Sequence, residues 1–280
     1  YSRNNKPKQF LDVLNTGRSL LQMTFDRFKD QVPTENIWIV SNQIYDELIE
    51  EQLPELAKSN ILLEPSKRNT APCVAYAAYK IQKQDPDAIM AVLPSDHVIF
   101  KEEAFRSIIN DAATAADSEK LITIGIKPHR AETGYGYIQF DDESSNSLKK
   151  VKTFTEKPEL ALAEKFIESG DFLWNAGIFV WSAEAIVSAF EKYQDELAEL
   201  FSSGKEAYFT SKEKDFVAKA YSQSKSISID YAIKEKSDQV FVLFGVFGWS
   251  DLGSWIALHE IKDKDDKDNV LETDTLLYNS

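Results

Sequence analysis

Two aspartates end apolar runs. Asp96 closes "AIMAVLPSD" and Asp251 closes "QVFVLFGVFGWSD". An acid at the carboxyl end of a buried strand is well placed to hold a hard cation such as Mg2+, which proteins commonly bind through one or two carboxylates while substrate phosphates complete the shell. Each acid also has a plainer reading. Asp96 can cap the turn that follows it, and Asp251, just ahead of Gly253, fits an ordinary turn. Taken singly, the two readings are about evenly balanced. Taken as a pair, two strand-end acids suit one divalent ion. Histidine-based zinc chemistry is excluded by scarcity, since His97, His129 and His259 are the only histidines. His97 reads as a structural or site-wall residue rather than a ligand.

Other polar residues cluster where strands meet loops. In "TEKP", Glu156 and Lys157 follow a strand and Pro158 opens a helix. A lysine is a compact point charge suited to phosphate, although an exposed ion pair explains the two as well. In "EPSKRNTAP", Arg68 and Asn69 precede Thr70, the expected N-cap of a helix whose N-terminus favours anions. "ETGYGYI" sets Gly134 and Gly136 between tyrosines, as a tight turn or as an open approach to a ligand. "WNAGIFVW" puts Asn175 and Gly177 at the start of an apolar strand, as a close-packed buried amide or as a sugar-hydroxyl contact. Lys6 and Lys8 in "KPKQF" read on their own as a solvated loop.

The elements that must position these residues alternate. "NIWIVSN", "NILLEP", "AIMAVLP" and "LITIGI" are short apolar runs, and between them lie helical stripes such as "APCVAYAAYKIQKQ" and "EEAFRSIINDAATAA". This rhythm predicts βαβ units and an α/β fold with a doubly wound, mostly parallel, Rossmann-like sheet. Beyond Gly125 the strands shorten: "YGYIQFD" and "KKVKTFTEKP" flank the polar turn "DESSNS". A helix, the strand "AGIFVW", a helical region from about Ser182 to Tyr221 and the late strand "QVFVLFG" follow. "SWIALHEI" reads as a short helix and "KDKDDKDN" as a solvated connector.

Composition narrows the function. The chain has 280 residues, 43% hydrophobic, with a formal net charge of −14. That sign excludes general electrostatic binding of nucleic acid, which needs clustered Lys and Arg. No apolar run approaches the roughly 18 residues of a membrane-spanning helix, and no signal peptide is visible. Cys73 stands alone, so no intrachain disulfide can form, which fits a reducing, cytoplasmic location. The opening "YSRNNKPKQF" reads as mid-protein sequence.

In their order, "SRNNKPKQFLDV", "EPSKRNTAP", "LPSDH", "TGYGYI", "FTEKP", "WNAGIFVW" and "GWSDLGSW" closely resemble the sugar-nucleotidyltransferase family, over Ser2 to Asn269. The wording of "RNTAP", "LPSDH" and "NAGIF" is similar to the mannose/guanine branch rather than to the glucose 1-phosphate branches. The resemblance implies the nucleotide-diphospho-sugar transferase fold and a Mg2+-dependent reaction in which mannose 1-phosphate attacks the α-phosphorus of GTP. GDP-mannose forms and pyrophosphate leaves. It further implies that Asp96 and Asp251 hold the metal, Lys157 binds the sugar phosphate, and Lys8, helped by Arg3, neutralises the triphosphate. Glu156, Asn175 and Gly134 would contact the sugar, while Arg68, Asn69 and Ser95 would lie near the nucleoside. Gly177 would keep the sugar pocket open.

The family also carries a strand and a Gly-rich phosphate loop just before the position of Ser2, so both are expected upstream of Tyr1. Residues 1–262 would form the nucleotidyltransferase domain, and 263–280 a connector and the start of a small β-rich C-terminal domain. A homodimer is compatible with the resemblance. So is a guanylyltransferase for a heptose or fucose 1-phosphate. A non-catalytic regulatory relative is the remaining alternative, and the presence of both Asp96 and Asp251 argues against it.

Overall fold

The computed structural model describes residues 6–141 and 147–253. Arg3, most of the expected turn at 142–147, the expected helix and connector over 254–269, and the 263–280 segment lie outside the described residues.

Ten strands and eight α-helices are described. The strands are β1 (Ile39–Asn42), β2 (Ile61–Glu64), β3 (Ile89–Val92), β4 (Val98–Ile99), β5 (Leu121–Ile126), β6 (Tyr137–Phe140), β7 (Lys149–Thr155), β8 (Phe172–Ser182), β9 (Val240–Gly245) and β10 (Trp249–Ser250). The helices are α1 (Leu20–Asp26), α2 (Asp46–Gln52), α3 (Thr70–Gln84), α4 (Glu102–Ala115), α5 (Leu160–Ser169), α6 (Ala183–Tyr193), α7 (Asp195–Ser202) and α8 (Glu213–Gln223). A π-helical turn, Asp230–Lys234, precedes β9. Local chemistry sets many of the ends. Ser19 and Gln22 form a reciprocal capping box at the start of α1. α2 stops at Gln52 ahead of Pro54. Gly170, with φ +78°, takes the left-handed cap of α5.

The main sheet has six strands in the order β3-β8-β5-β9-β7-β6. The α/β class holds, but neighbouring strands are not mostly parallel as the alternation predicted. β8 runs antiparallel to both β3 and β5, and β5·β9 is the parallel pair of this sheet. β1·β2 is parallel but forms a separate two-stranded sheet among the described residues. The difference has a plain cause. β8 is reached from the antiparallel β6·β7 hairpin and α5, not by a helical crossover from a sheet neighbour. An apolar run encodes burial, whereas strand direction follows from the connections.

Helices nevertheless cover both faces. Side chains alternate along β8. Phe179 and Trp181 join the core with Ala75 and Ala78 of α3 and Ile186 and Phe190 of α6. Ile178 and Val180 join the other core with Phe105 and Ile109 of α4. β8 is therefore buried on both faces, which is why "FLWNAGIFVWS" is apolar almost throughout.

The exception inside that run is Asn175. Its partner across the sheet is Gly125, at an irregularity where the β5·β8 register shifts between Thr123 and Gly125. A Cβ on Gly125 would lie 2.6 Å from Leu173 Cδ1 and 2.8 Å from Val242 Cγ2. Glycine lets β5, β8 and β9 close around this point. Gly125→Ala is expected to lower unfolding free energy by about 1–3 kcal/mol through overpacking, measured by urea denaturation. A denaturation midpoint equal to wild type would show that the sheet opens there without cost.

Candidate active site

β4 and β10 pair antiparallel, with Ile99 opposite Trp249 and Val98 opposite Ser250. One more step of that register sets His97 opposite Asp251, so Asp96 and Asp251 come to the same end of a short ribbon. Beyond its other end, the Phe100 N–H donates to the Gly248 carbonyl (3.0 Å) and the Lys101 N–H to the Phe247 carbonyl (2.9 Å). Gly248 holds φ +64°, a left-handed backbone that glycine adopts without strain.

Lys8, in a single 3-10 turn, stands between the acids. Its Nζ is 3.0 Å from Asp96 Oδ2 and also donates to the Asp251 carbonyl. Asp251 Oδ1 accepts from the Tyr135 hydroxyl (2.8 Å) and from the Gly253 N–H (2.8 Å). The turn reading of Asp251 is thus realised through one oxygen, and Oδ2 takes no hydrogen bond from the described residues. Asp96 Oδ1 likewise takes no hydrogen bond from the described residues, with His97 Nε2 at 3.8 Å. Two carboxylates at one ribbon end, each keeping an oxygen, fit a hard divalent cation. No group of three His, Cys, Asp or Glu converges among the described residues. The acids would therefore be the protein's share of the shell, with water and phosphate oxygens supplying the rest.

Aromatic rings back the acids. The Tyr135 ring meets Trp174 and Trp249 edge-on, each at a centroid distance of 5.1 Å. Burial and the hydrogen bond to Asp251 push the Tyr135 phenol well above the ordinary tyrosine range, so it stays a donor. The Trp249 indole N–H donates to His97 Nδ1 (3.1 Å). An indole can only donate, so Nδ1 must accept and the imidazole proton sits on Nε2, towards Asp96. Burial lowers the His97 pKa despite the neighbouring Asp96 and Asp251, which keeps the ring neutral. Tyr135 and Trp249 lie within motifs legible in the sequence, but nothing there assigned them to Asp251 and His97.

Gly177 joins this group to a second one. Its φ is +69°, and a Cβ there would touch Pro94 Cγ at 3.4 Å. The conformation, more than a lack of space, calls for glycine. The Gly177 N–H donates to Asn175 Oδ1 (3.2 Å). The Asn175 N–H in turn donates to the Gly136 carbonyl (2.8 Å). A Cβ on Gly136 would lie 2.7 Å from Glu156 Oε2, so Gly136 gives Glu156 its room. Glu156 Oε1 pairs with Lys157 Nζ at 3.0 Å, and this hydrogen bond raises the Lys157 pKa. Lys157 itself has φ +44°, a strained conformation for a non-glycine residue. Gly134 lies in the turn before β6, with its N–H donating to Glu132 Oε1 (2.9 Å).

Two members of the second group carried no signal in the sequence reading. Asp230 Oδ1 accepts from Asn175 Nδ2 (3.0 Å) and Lys234 Nζ (2.9 Å). Their i,i+4 spacing was the available clue, and it resembles any surface ion pair.

Of the residues expected near the nucleoside, Ser95 directly precedes Asp96, while Arg68 and Asn69 are held by other segments. Asn69, not Thr70, caps α3: its Oδ1 accepts from the Thr70 N–H while its backbone takes φ 64° and ψ −169°. The Thr70 hydroxyl instead accepts from the Ile229 N–H (2.9 Å), one residue before Asp230. Arg68 Nε donates to the Tyr221 carbonyl (3.1 Å), tying the loop to α8. Ser95 lines an open cleft of about 100 Å³ between β1 and the end of β3, with Trp38, Val40 and Leu93. No described hydrogen bond links Arg68 or Asn69 to Lys8, Asp96 or Asp251.

A family model described as nucleotidyl transferase matches residues 2–268. The chain belongs to the nucleotidyl transferase family. It is 39% identical to a mannose-1-phosphate guanylyltransferase of Salmonella montevideo over 100% of this chain and 60% of that protein. It is 39% identical to the xanthan biosynthesis protein XanB of Xanthomonas campestris pv. campestris (strain B100) over 98% of this chain and 59% of the relative. The chain thus spans about 60% of the length of these curated relatives. Among solved structures, one described as mannose-1-phosphate geranyltransferase from Thermus thermophilus is 29% identical with a TM-score of 0.83, over 92% of this chain and 73% of that one. Another, described as mannose-6-phosphate isomerase from Helicobacter pylori, is 29% identical with a TM-score of 0.74, over 89% and 96%.

The neutral His97 gives a measurable consequence. Nitrogen-15 spectra are expected to show it neutral with its proton on Nε2 at pH 7, and charging only below the ordinary histidine pKa of about 6.5. The unfolded chain binds that proton more readily, so His97 lowers stability as pH falls below about 6.5. An imidazolium already formed at that pH would overturn the assignment.

Proposed function

We propose that this chain carries the nucleotidyltransferase site that forms GDP-mannose and pyrophosphate from GTP and mannose 1-phosphate. The observation that carries the proposal is the Asp96–Lys8–Asp251 group at the end of the β4·β10 ribbon, joined through Gly177 to Asn175, Glu156 and Lys157. The names of the similar guanylyltransferases support the choice of substrates.

In the transfer, an oxygen of the sugar 1-phosphate attacks the α-phosphorus of GTP. The bond from that phosphorus to the β-phosphate oxygen breaks, and the electron pair leaves with pyrophosphate. Such a reaction needs positioning and charge neutralisation more than covalent help. Lys8 brings a cation beside the acids for the triphosphate. Lys157, 64% exposed in its side chain, can turn from Glu156 to the phosphate of the sugar. Asp96 and Asp251 would hold Mg2+, which when bound offsets phosphate charge and polarises the P–O bonds. Tyr135 fixes one oxygen of Asp251, and Trp249 fixes the His97 ring beside Asp96. Glu156, Asn175 and Gly134 would meet the sugar, and Arg68, Asn69 and Ser95 the nucleoside. A cytoplasmic location accords with the lone Cys73, which requires no oxidising compartment.

The test is pyrophosphate release by the intact protein with Mg2+, GTP and mannose 1-phosphate. Parallel arms use ATP, UTP or dTTP, fucose or heptose 1-phosphate, and mannose 6-phosphate alone. Turnover with GTP and mannose 1-phosphate above the other pairs is expected. Turnover only with another sugar phosphate would sink the mannose assignment, and isomerisation of mannose 6-phosphate without pyrophosphate release would sink the transferase. Asp251→Asn is expected to reduce turnover on the order of 10²–10³-fold, the scale of losing one charge-stabilising group. Lys157→Ala should raise KM for the sugar phosphate and leave KM for GTP near wild type. If only the GTP constant moves, its role is reversed.

A further inference from the structure

Lys234 is a cation with almost no access to water. Its side chain is 2% exposed, and its ammonium lies 4.4 Å and 4.6 Å from the ring centroids of Phe154 and Phe179. Burial lowers its pKa, and Asp230 opposes that shift. Burying a charge costs several kcal/mol before its partners offset the loss, and an apolar side chain of the same length often serves stability equally well. Stability alone is therefore a weak reason for a lysine here.

Its hydrogen bonds supply a stronger one. Lys234 Nζ donates to Asp230 Oδ1 (2.9 Å) and to Asn175 Oδ1 (3.1 Å). The Gly177 N–H also donates to Asn175 Oδ1, so two groups that can only donate face that oxygen. The amide orientation is thereby fixed, and Nδ2 must face Asp230 Oδ1, at 3.0 Å. Two polar valences are left without a partner among the described residues: the second Nδ2 hydrogen of Asn175 and the second oxygen of Asp230. The Asp230 side chain is 18% exposed against 2% for Lys234, so the carboxylate is the part of the pair that reaches solvent. Asp230 is also close enough to Lys157 to help raise its pKa.

We infer that Lys234 is a positioning residue for sugar recognition, locking Asn175 and Asp230 so that one amide hydrogen and one carboxylate oxygen are presented side by side to the hydroxyls of the sugar phosphate. A donor next to an acceptor complements neighbouring hydroxyls, each of which can accept and donate. The same ammonium offsets the charge of Asp230 and Glu156, so two acids can stand near an incoming phosphate. The assignment rests on the proposed transfer, because it takes Lys157 and Glu156 as the sugar-phosphate side of the site.

Lys234→Met keeps the length and removes the charge and both hydrogen bonds. In the intact protein, KM for mannose 1-phosphate is expected to rise about 10-fold or more, the effect of losing roughly 1.4 kcal/mol of binding. KM for GTP should stay within about twofold of wild type, and the melting temperature should not fall in proportion. A purely structural lysine would lower the melting temperature and leave the two KM values in their original ratio, and that result overturns the inference. Asp230→Asn, which keeps the shape and weakens the acceptor, should show the same sugar-selective rise. It replaces Lys234→Met if that variant does not fold, and an unchanged sugar KM there is equally fatal. If the wild type turns over no sugar 1-phosphate with GTP, the proposed function fails on its own. Calorimetric titration of wild type and Lys234→Met with mannose 1-phosphate then decides the inference. Binding weakened in the variant alone upholds it, and equal binding or none in either protein overturns it.

Discussion

The site depends on a two-residue pairing. β4 and β10 are short, and their antiparallel register is what brings Asp96, before one strand, beside Asp251, after the other. Two carboxylates at one end of a ribbon favour a cation between them. Lys8 supplies that cation, touching the side chain of Asp96 and the backbone of Asp251. Its ammonium places a positive charge beside Asp96 and the Asp251 backbone, and among the described residues one oxygen on each acid takes no hydrogen bond. The same geometry would suit a divalent ion and phosphates, where charges of both signs must be held close in a partly dry site.

β8 links this ribbon to the rest of the site. It lies between β3 and β5 and is buried on both faces, which fixes where its side chains stand. Its interior carries Asn175 and, two positions on, Gly177 in a left-handed conformation. At Gly177 the same strand stands against Pro94 and holds the Asn175 amide oxygen through its N–H. A register irregularity opposite Asn175, at Gly125, gives the polar side chain its place in an apolar sheet. Loops then contribute Glu156, Lys157 and Tyr135, each fixed to a residue of β8 or of the ribbon by a short chain of contacts.

Charge is distributed unevenly. The chain as a whole is strongly acidic, at −14, yet Lys8, Lys157 and Lys234 stand beside the acids of the candidate site. Local cations among acids favour a small anionic ligand whose charge is neutralised in place, while the overall sign disfavours polyanions. Lys234 differs from the other two in being enclosed by Phe154 and Phe179, where its pairing with Asp230 and Asn175 is shielded from water.

Much of this was legible in the residues themselves. Apolar runs and helical stripes gave the α/β class and most element positions, because burial and periodicity are local properties of a chain. The order of the motifs from "KPKQF" to "GWSD" pointed to the family, and Gly177 was marked for its missing side chain, whereas the structure shows that its left-handed backbone calls for glycine. What the sequence could not determine is direction and partnership. That β8 runs antiparallel between β3 and β5 follows from how the β6·β7 hairpin and α5 deliver it, and no hydropathy pattern carries that information. That Thr70 bonds Ile229 while Asn69 caps α3 depends on two segments distant in the chain coming together. Nothing in the sequence singled out Asp230 and Lys234; the pair stands out only once the aromatic rings of β7 and β8 close over the lysine. The sequence by itself determined which residues were capable of chemistry. The tertiary structure alone decided which of them meet, because hydrogen bonds and charge pairs act over a few ångströms and only folding sets those distances.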